Sequence, residues 1–118
     1  MSVSEVWGSA DYGPTAVRLA PAATLVCEAL SGLAPESTVL DLGAGHGHLT
    51  ERLAEHWHTI ALEPVARMRD AGMRCCPDAR WVDALGEDTG LADCSVDAIA
   101  SNFGAFLCDP DRATPEWL

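Results

Sequence analysis

The chain has 118 residues, 48% of them apolar and 21% charged, which suits one globular domain and excludes both two full domains and a disordered segment. Seven Lys and Arg against 18 Asp and Glu leave a net charge of −11, a surface that repels phosphate backbones and speaks against a nucleic-acid partner. No run of about 18 apolar residues appears, so no membrane partner is expected.

Met1–Trp7 lacks the basic and apolar stretches of a signal peptide, so the expected compartment is the cytoplasm. Gly8–Pro14 is turn-forming, with Pro14 suited to a first helical position. A helical pattern then runs to Ser31, bent or restarted at Pro21. In it Ala22, Leu25, Val26, Ala29, Leu30 and Leu33 recur at i, i+3, i+4, i+7, i+8 and i+11 as one apolar stripe. Gly32 suits the helix end. Val39, Leu40 and Leu42 read as a buried strand running into a glycine-rich turn, and Leu49, Leu53 and Trp57 mark a helix over about 47–57. Thr59–Leu62 is a second strand closed by Glu63-Pro64, and residues 65–72 a short helix with Gly72 as its stop. Cys75–Asp78 is a turn, Arg80–Val82 a third strand, and Gly86–Gly90 an acidic surface loop. Val96–Ala100 is a fourth strand, and a short helical piece over Ala105–Cys108 precedes Asp109-Pro110 and a tail.

Strands alternating with helices imply a parallel sheet with helices on its faces. Ligands of such sheets sit at the carboxyl ends of the strands, which directs attention to Gly43–Gly47, Glu63, Asp83 and Asn102. Glycines at 43, 45 and 47 remove Cβ atoms where the backbone must turn and a ligand must come close. The helix start behind them offers unpaired N–H groups, together a cradle for a polar, adenosine-type cofactor. Glu63, about twenty residues on, stands where a nucleotide fold puts an acid on the ribose hydroxyls. Asp83-Ala84 offers a carboxylate and an N–H to an adenine edge, or is an ordinary turn. Asp41 is polar within an apolar strand and needs partners, either structural or in the cofactor. The five cysteines, Cys27, Cys75, Cys76, Cys94 and Cys108, form no C-x-x-C pair and read as small hydrophobes, so no metal site is expected.

Val39-Leu40-Asp41-Leu42-Gly43-Ala44-Gly45-His46-Gly47, then Ala61-Leu62-Glu63-Pro64, Asp83-Ala84 and Ser95-Val96-Asp97-Ala98-Ile99 resemble the successive motifs of class I S-adenosylmethionine-dependent methyltransferases. The G-x-G-x-G spacing favours that family over NAD-binding folds, whose fingerprint is G-x-G-x-x-G. The resemblance implies S-adenosylmethionine as cofactor. Its methionine part would be held by Asp41 and the turn of Gly43, Ala44, Gly45 and Gly47, and its ribose by Glu63. Pro64 and Val65 would flank the adenine, Asp83 and Ala84 would bind its edge, and Asn102 would lie near the methyl donor. Trp7 and Tyr12 resemble the family's N-terminal cover. Methyl transfer is an in-line displacement that asks mainly for positioning, with a base needed only when the acceptor must lose a proton. His46 and His48 are the nearest titratable side chains and also read as residues of a helix start; no catalytic residue is assigned.

The family fold has seven strands in the order 3-2-1-4-5-7-6, whereas this sequence stops soon after the fourth. The expectation is one truncated domain: a helical cover over 1–37 and a βαβαββ core over 38–118, with four parallel strands ordered 3-2-1-4. Its fourth strand is a bare edge, lined by Ala98 and Ile99 with Phe103, Phe106 and Leu107 nearby, and such an edge demands a partner. A homodimer pairing the two fourth strands is the default and a complementing subunit the other solution. The expected function is the cofactor-binding half of a small-molecule methyltransferase, active as a dimer or when complemented. The alternative is a non-catalytic S-adenosylmethionine-binding or scaffold subunit that stabilises or regulates a partner enzyme. Glu63 and Asp83 argue against a fold kept with its cofactor site empty.

Overall fold

The computed structural model describes residues 3–118, without the side chains of Val3, Ser4 and Phe106. The reading of Met1 and Ser2, and the place of Phe106 on the sheet edge, lie outside the described residues.

Four strands, β1 (Thr38–Leu42), β2 (His58–Leu62), β3 (Arg80–Val82) and β4 (Ala98–Ala100), form one parallel sheet in the order β3-β2-β1-β4, the order the family resemblance implies. β1 pairs β2 from Thr38↔His58 to Leu42↔Leu62, and β4 from Val39↔Ala98 to Asp41↔Ala100. Each inner strand has three apolar residues of five and is buried at every position but its first, the pattern of strands covered from both sides. The helices are α1 (Val3–Gly8), α2 (Gly13–Leu19), α3 (Ala22–Ala29), α4 (His48–Ala54), α5 (Ala66–Cys75) and α6 (Pro110–Trp117). α3 and α4 close one face, where Ala23, Val39, Leu49, Leu53, Trp57 and Ala100 pack together. On the other face Leu40, Leu42, Ile60 and Leu62 are covered by Ala84, Leu91, Val96, Ala105, Cys108 and Trp117. That second cover is a returning loop and the C-terminal helix.

Four features differ from the sequence reading. The helix restarts at Pro21 as expected, but Leu25 is 69% exposed and the buried face is Ala23, Val26, Cys27, Leu30 and Leu33. Ala23 is fully buried in the cluster that holds Leu49 and Leu53 of α4, so it and not Leu25 faces the core. Gly72 does not stop α5, which runs on to Cys75. A Cβ at Gly72 would lie 2.1 Å from Trp81 Cη2, so the glycine is the slot into which the indole fits, and Trp81 Nε1 donates to Cys76 O at 2.9 Å. The 86–90 segment is not a free surface loop, because Gly86 and Thr89 are buried. Glu116 accepts from Thr89 N and Oγ1 at 2.9 and 2.6 Å, and Trp117 Nε1 donates to Gly86 O at 2.7 Å. Finally, the expected tail is α6, capped by Asp109, whose carboxylate accepts from Asp111 N, with Pro110 in its first turn.

Candidate cofactor site

β1 ends at Leu42 and the chain turns through Gly43, Gly45 and Gly47 with φ of 70°, 58° and 89°, values that favour glycine. Each has different surroundings. A Cβ at Gly43 would come within 3.0 Å of Gly104 Cα, and one at Gly47 within 3.3 Å of Trp81 Cη2, while one at Gly45 would meet nothing within 4 Å. Space is therefore left directly above Gly45. The turn is fastened to the next strand by Ala44 N donating to Leu62 O at 2.9 Å.

Two buried carboxylates stand beside this space. Asp41 is 1% exposed and accepts from Thr50 Oγ1 at 2.6 Å; burial raises its pKa to about 7 against the pull of that bond. Glu63, 5% exposed at the exit of β2, is likewise raised to about 7, mainly by burial and further by the Asp41 charge. The N–H groups of Gly45 and Val65 and the Arg69 guanidinium act the other way on Glu63. Arg69 Nη1 donates to the Glu63 carbonyl at 2.8 Å and lies 3.3 Å from the Asp83 carboxylate. No basic side chain among the described residues thus forms a salt bridge with either buried acid.

The β4 exit closes the far side. Ser101 Oγ donates to Leu42 O at 2.8 Å and accepts from Gly104 N and Ala105 N at 3.0 and 2.8 Å. Gly104 is required there, since a Cβ would lie 2.6 Å from Leu42 O. Asn102 Nδ2 donates to Leu19 O at 3.2 Å, joining this exit to the end of α2. The N-terminal segment comes over the top: Trp7 meets Tyr12 edge-on at 5.0 Å, Tyr12 stacks on His46 at 6.3 Å, and Arg67 donates to Ala10 O.

Together these elements enclose a hollow of about 290 Å³ at the carboxyl ends of the strands. Asp41, Gly43, Ala44, Gly45, Glu63, Pro64, Ala84 and Asn102 line it, as do Trp7, Tyr12, Val65, His46 and His48. Gly47 lies behind it as the cap of α4, and Asp83, with its side chain 67% exposed and paired to Arg69, borders a shallower groove next to it. The sequence reading put Phe103 and Leu107 near the sheet edge and gave Leu85, Cys108 and Arg112 no place in the site; all five line the same hollow. Only Asp109-Pro110, a capping pair ahead of Arg112, gave a readable hint of them.

The volume is near the lower bound of small-molecule pockets, about 300 Å³. The lining fits a nucleoside carrying a positive charge. Glu63 offers acceptors to hydroxyls, Pro64, Val65 and Met68 offer apolar surface to a ring, and two acids without a salt-bridged base suit a cation. His46 Nδ1 is buried without a partner in the same wall, and burial, then the neighbouring His48, keep its pKa below the usual imidazole value. Among the described residues no group of three or more His, Cys, Asp or Glu is arranged to hold a metal ion, and no helix is long and apolar enough to cross a membrane.

Residues 39–117 match the methyltransferase domain family. An uncharacterised methyltransferase of Mycobacterium tuberculosis H37Rv is 38% identical over 92 residues, 75% of this chain and 38% of that protein, and a Mycobacterium bovis methyltransferase aligns equally well. Among solved structures, a candidate S-adenosylmethionine-dependent methyltransferase of Methanococcus maripaludis superposes with a TM-score of 0.75 at 19% identity, over 96% of this chain and 55% of that one. The YcgJ protein of Bacillus subtilis gives 0.73 at 22% identity, over 80% and 43%. The chain belongs to the class I methyltransferases, the family whose cofactor is S-adenosylmethionine. It spans 38% of the length of the curated relatives it matches.

Proposed function

We propose that this chain is the cofactor-binding part of a small-molecule methyltransferase. The observation that carries the reading is Glu63, a buried acid at the exit of β2 that receives the N–H groups of Gly45 and Val65 beside the open space above Gly45. S-adenosylmethionine supplies a methyl group activated on a sulfonium. Glu63 accepts hydrogen bonds from the ribose hydroxyls, while Pro64 and Val65 flank the adenine and Ala84 meets its edge. Asp41 and the turn of Gly43, Ala44 and Gly45 hold the methionine part, and ionised Asp41 complements its positive charge. Asn102 stands near the reacting centre, and Trp7 with Tyr12 excludes water from above. The chain thus contributes positioning and a dry site, the main needs of an in-line displacement.

The net charge of −11 supports a small molecule as acceptor over nucleic acid. Among the described residues β4 is paired on one side only, by β1. In this reading its open side takes a second copy, β4 against β4, or a complementing polypeptide that completes the acceptor pocket. Calorimetric titration with S-adenosylmethionine and S-adenosylhomocysteine, alongside solution mass, tests both parts. Micromolar binding by a dimer is the expected result. No binding at millimolar ligand rejects the cofactor site, and a monomer rejects the pairing of two copies. Tight binding with no methyl transfer, alone or with a co-purifying partner, would favour a non-catalytic regulatory subunit.

A further inference from the structure

One wall of the hollow is made of residues other than those proposed to hold the cofactor. Phe103, just after β4, keeps a left-handed backbone at φ 67°, which is strained for a bulky residue and is held by the three Ser101 bonds on either side of it. Phe103 is 48% exposed, and Leu85 and Leu107, exposed by 41% and 39%, line the same hollow. The 85–88 segment arrives there because Gly86 packs against Leu42 and Cys108. Arg112, on the first turns of α6, lines the same wall and has no carboxylate within ion-pair distance among the described residues. Arg112 is exposed, and it is the one Lys or Arg among the described residues lining the hollow.

We propose that this wall is the acceptor subsite and takes a flat apolar molecule bearing an anionic group, with its ring on Phe103, Leu85 and Leu107 and its anion on Arg112. The arrangement is apolar surface for orientation plus one charge for register. It rests on the methyltransferase reading above.

The probes are 1-anilinonaphthalene-8-sulfonate and its neutral counterpart N-phenyl-1-naphthylamine, titrated by fluorescence with and without saturating S-adenosylhomocysteine. Calorimetry with S-adenosylhomocysteine is run first, because its failure sinks the cofactor reading whatever the dyes do. The expected result is one sulfonate dye per chain, retained when the cofactor product is bound. Phe103→Gly, which accepts the left-handed backbone, should weaken both dyes about tenfold, and Phe103→Asn is the second variant should the first not fold. Arg112→Gln should weaken the sulfonate dye about fivefold and leave the neutral one unchanged. Displacement of the dye by S-adenosylhomocysteine, indifference to both substitutions, or equal effects of Arg112→Gln on both dyes would each overturn the proposal. So would dye binding that disappears as copies associate, because the wall would then be an interface.

Discussion

Between the β1–β2 end of the hollow and its β4 end, the backbone support falls from five registered residue pairs to three. At the first end the strands are buried on both faces, and the cradle is set by backbone geometry: three left-handed glycines, Ala44 tied to Leu62, and Glu63 held by main-chain N–H groups. At the second end single side chains do the work. Ser101 ties the β4 exit to Leu42, Glu116 holds Thr89, and Trp117 holds Gly86. The part that grips a cofactor common to the family is thus specified by the main chain, whereas the part facing the acceptor can change by a few side chains without disturbing that grip.

The strongest test of this division is Gly104→Ala, because Gly104 is where the two ends touch. The added Cβ meets Leu42 O at 2.6 Å and Gly43 Cα at 3.0 Å, both backbone atoms. Denaturant unfolding should show a loss of about 3 kcal/mol, with weaker cofactor binding. A wild-type midpoint would mean that the ends are not locked.

The next effect belongs to the cradle and depends on pH. Asp41 rises from 3.8 to about 7 in the folded state, so the fold favours its protonated form. Its contribution is fully present below about pH 4 and is lost as pH rises through 7. Relative to Asp41→Asn, the wild type should lose on the order of 2 kcal/mol between pH 4 and pH 8 in paired melts. A difference that stays flat with pH would place the charge in a well-solvated site.

Glu63→Gln should weaken S-adenosylmethionine by about tenfold, or about 1.4 kcal/mol, in calorimetry at pH 8. The variant should melt no lower than the wild type there, because it removes a buried charge. The smallest change is at the other end. Trp117→Phe deletes the bond to Gly86 O and should cost about 1 kcal/mol, while exposing the Thr89 amide to hydrogen exchange. A cofactor affinity that moved with it would erase the distinction between the two ends.

The cradle was the more legible end for the same reason that it is the more rigid. Val39–Leu42 and Thr59–Leu62 are apolar runs that fit only covered parallel strands, and the glycine spacing marks backbone positions that no other residue occupies without strain. A parallel sheet and seven of the hollow's lining residues follow from the strands and their ends, while the strand order and Pro64 come from the family resemblance. What stayed illegible depends on contacts far apart in sequence. Gly72 resembles a helix stop unless Trp81 is known to fill its slot. Leu25 belongs to the apolar stripe by spacing, yet the helix turns Ala23 inward and leaves Leu25 exposed. α6 is hidden by Pro115 and its acidic residues, because its docking relies on Trp117 and Glu116 reaching a loop some thirty residues earlier.

Trp81 also gives the molecule a built-in chromophore. Its ring lies between Gly47 and Gly72 with its N–H fixed to Cys76, at the foot of the glycine turn and outside the hollow itself. With Trp7, Trp57 and Trp117 each changed to Phe, emission from this one indole reads the state of that turn without touching any bound molecule. Ligand entry and thermal loosening at the strand exits then become optical signals from a residue that does not line the hollow.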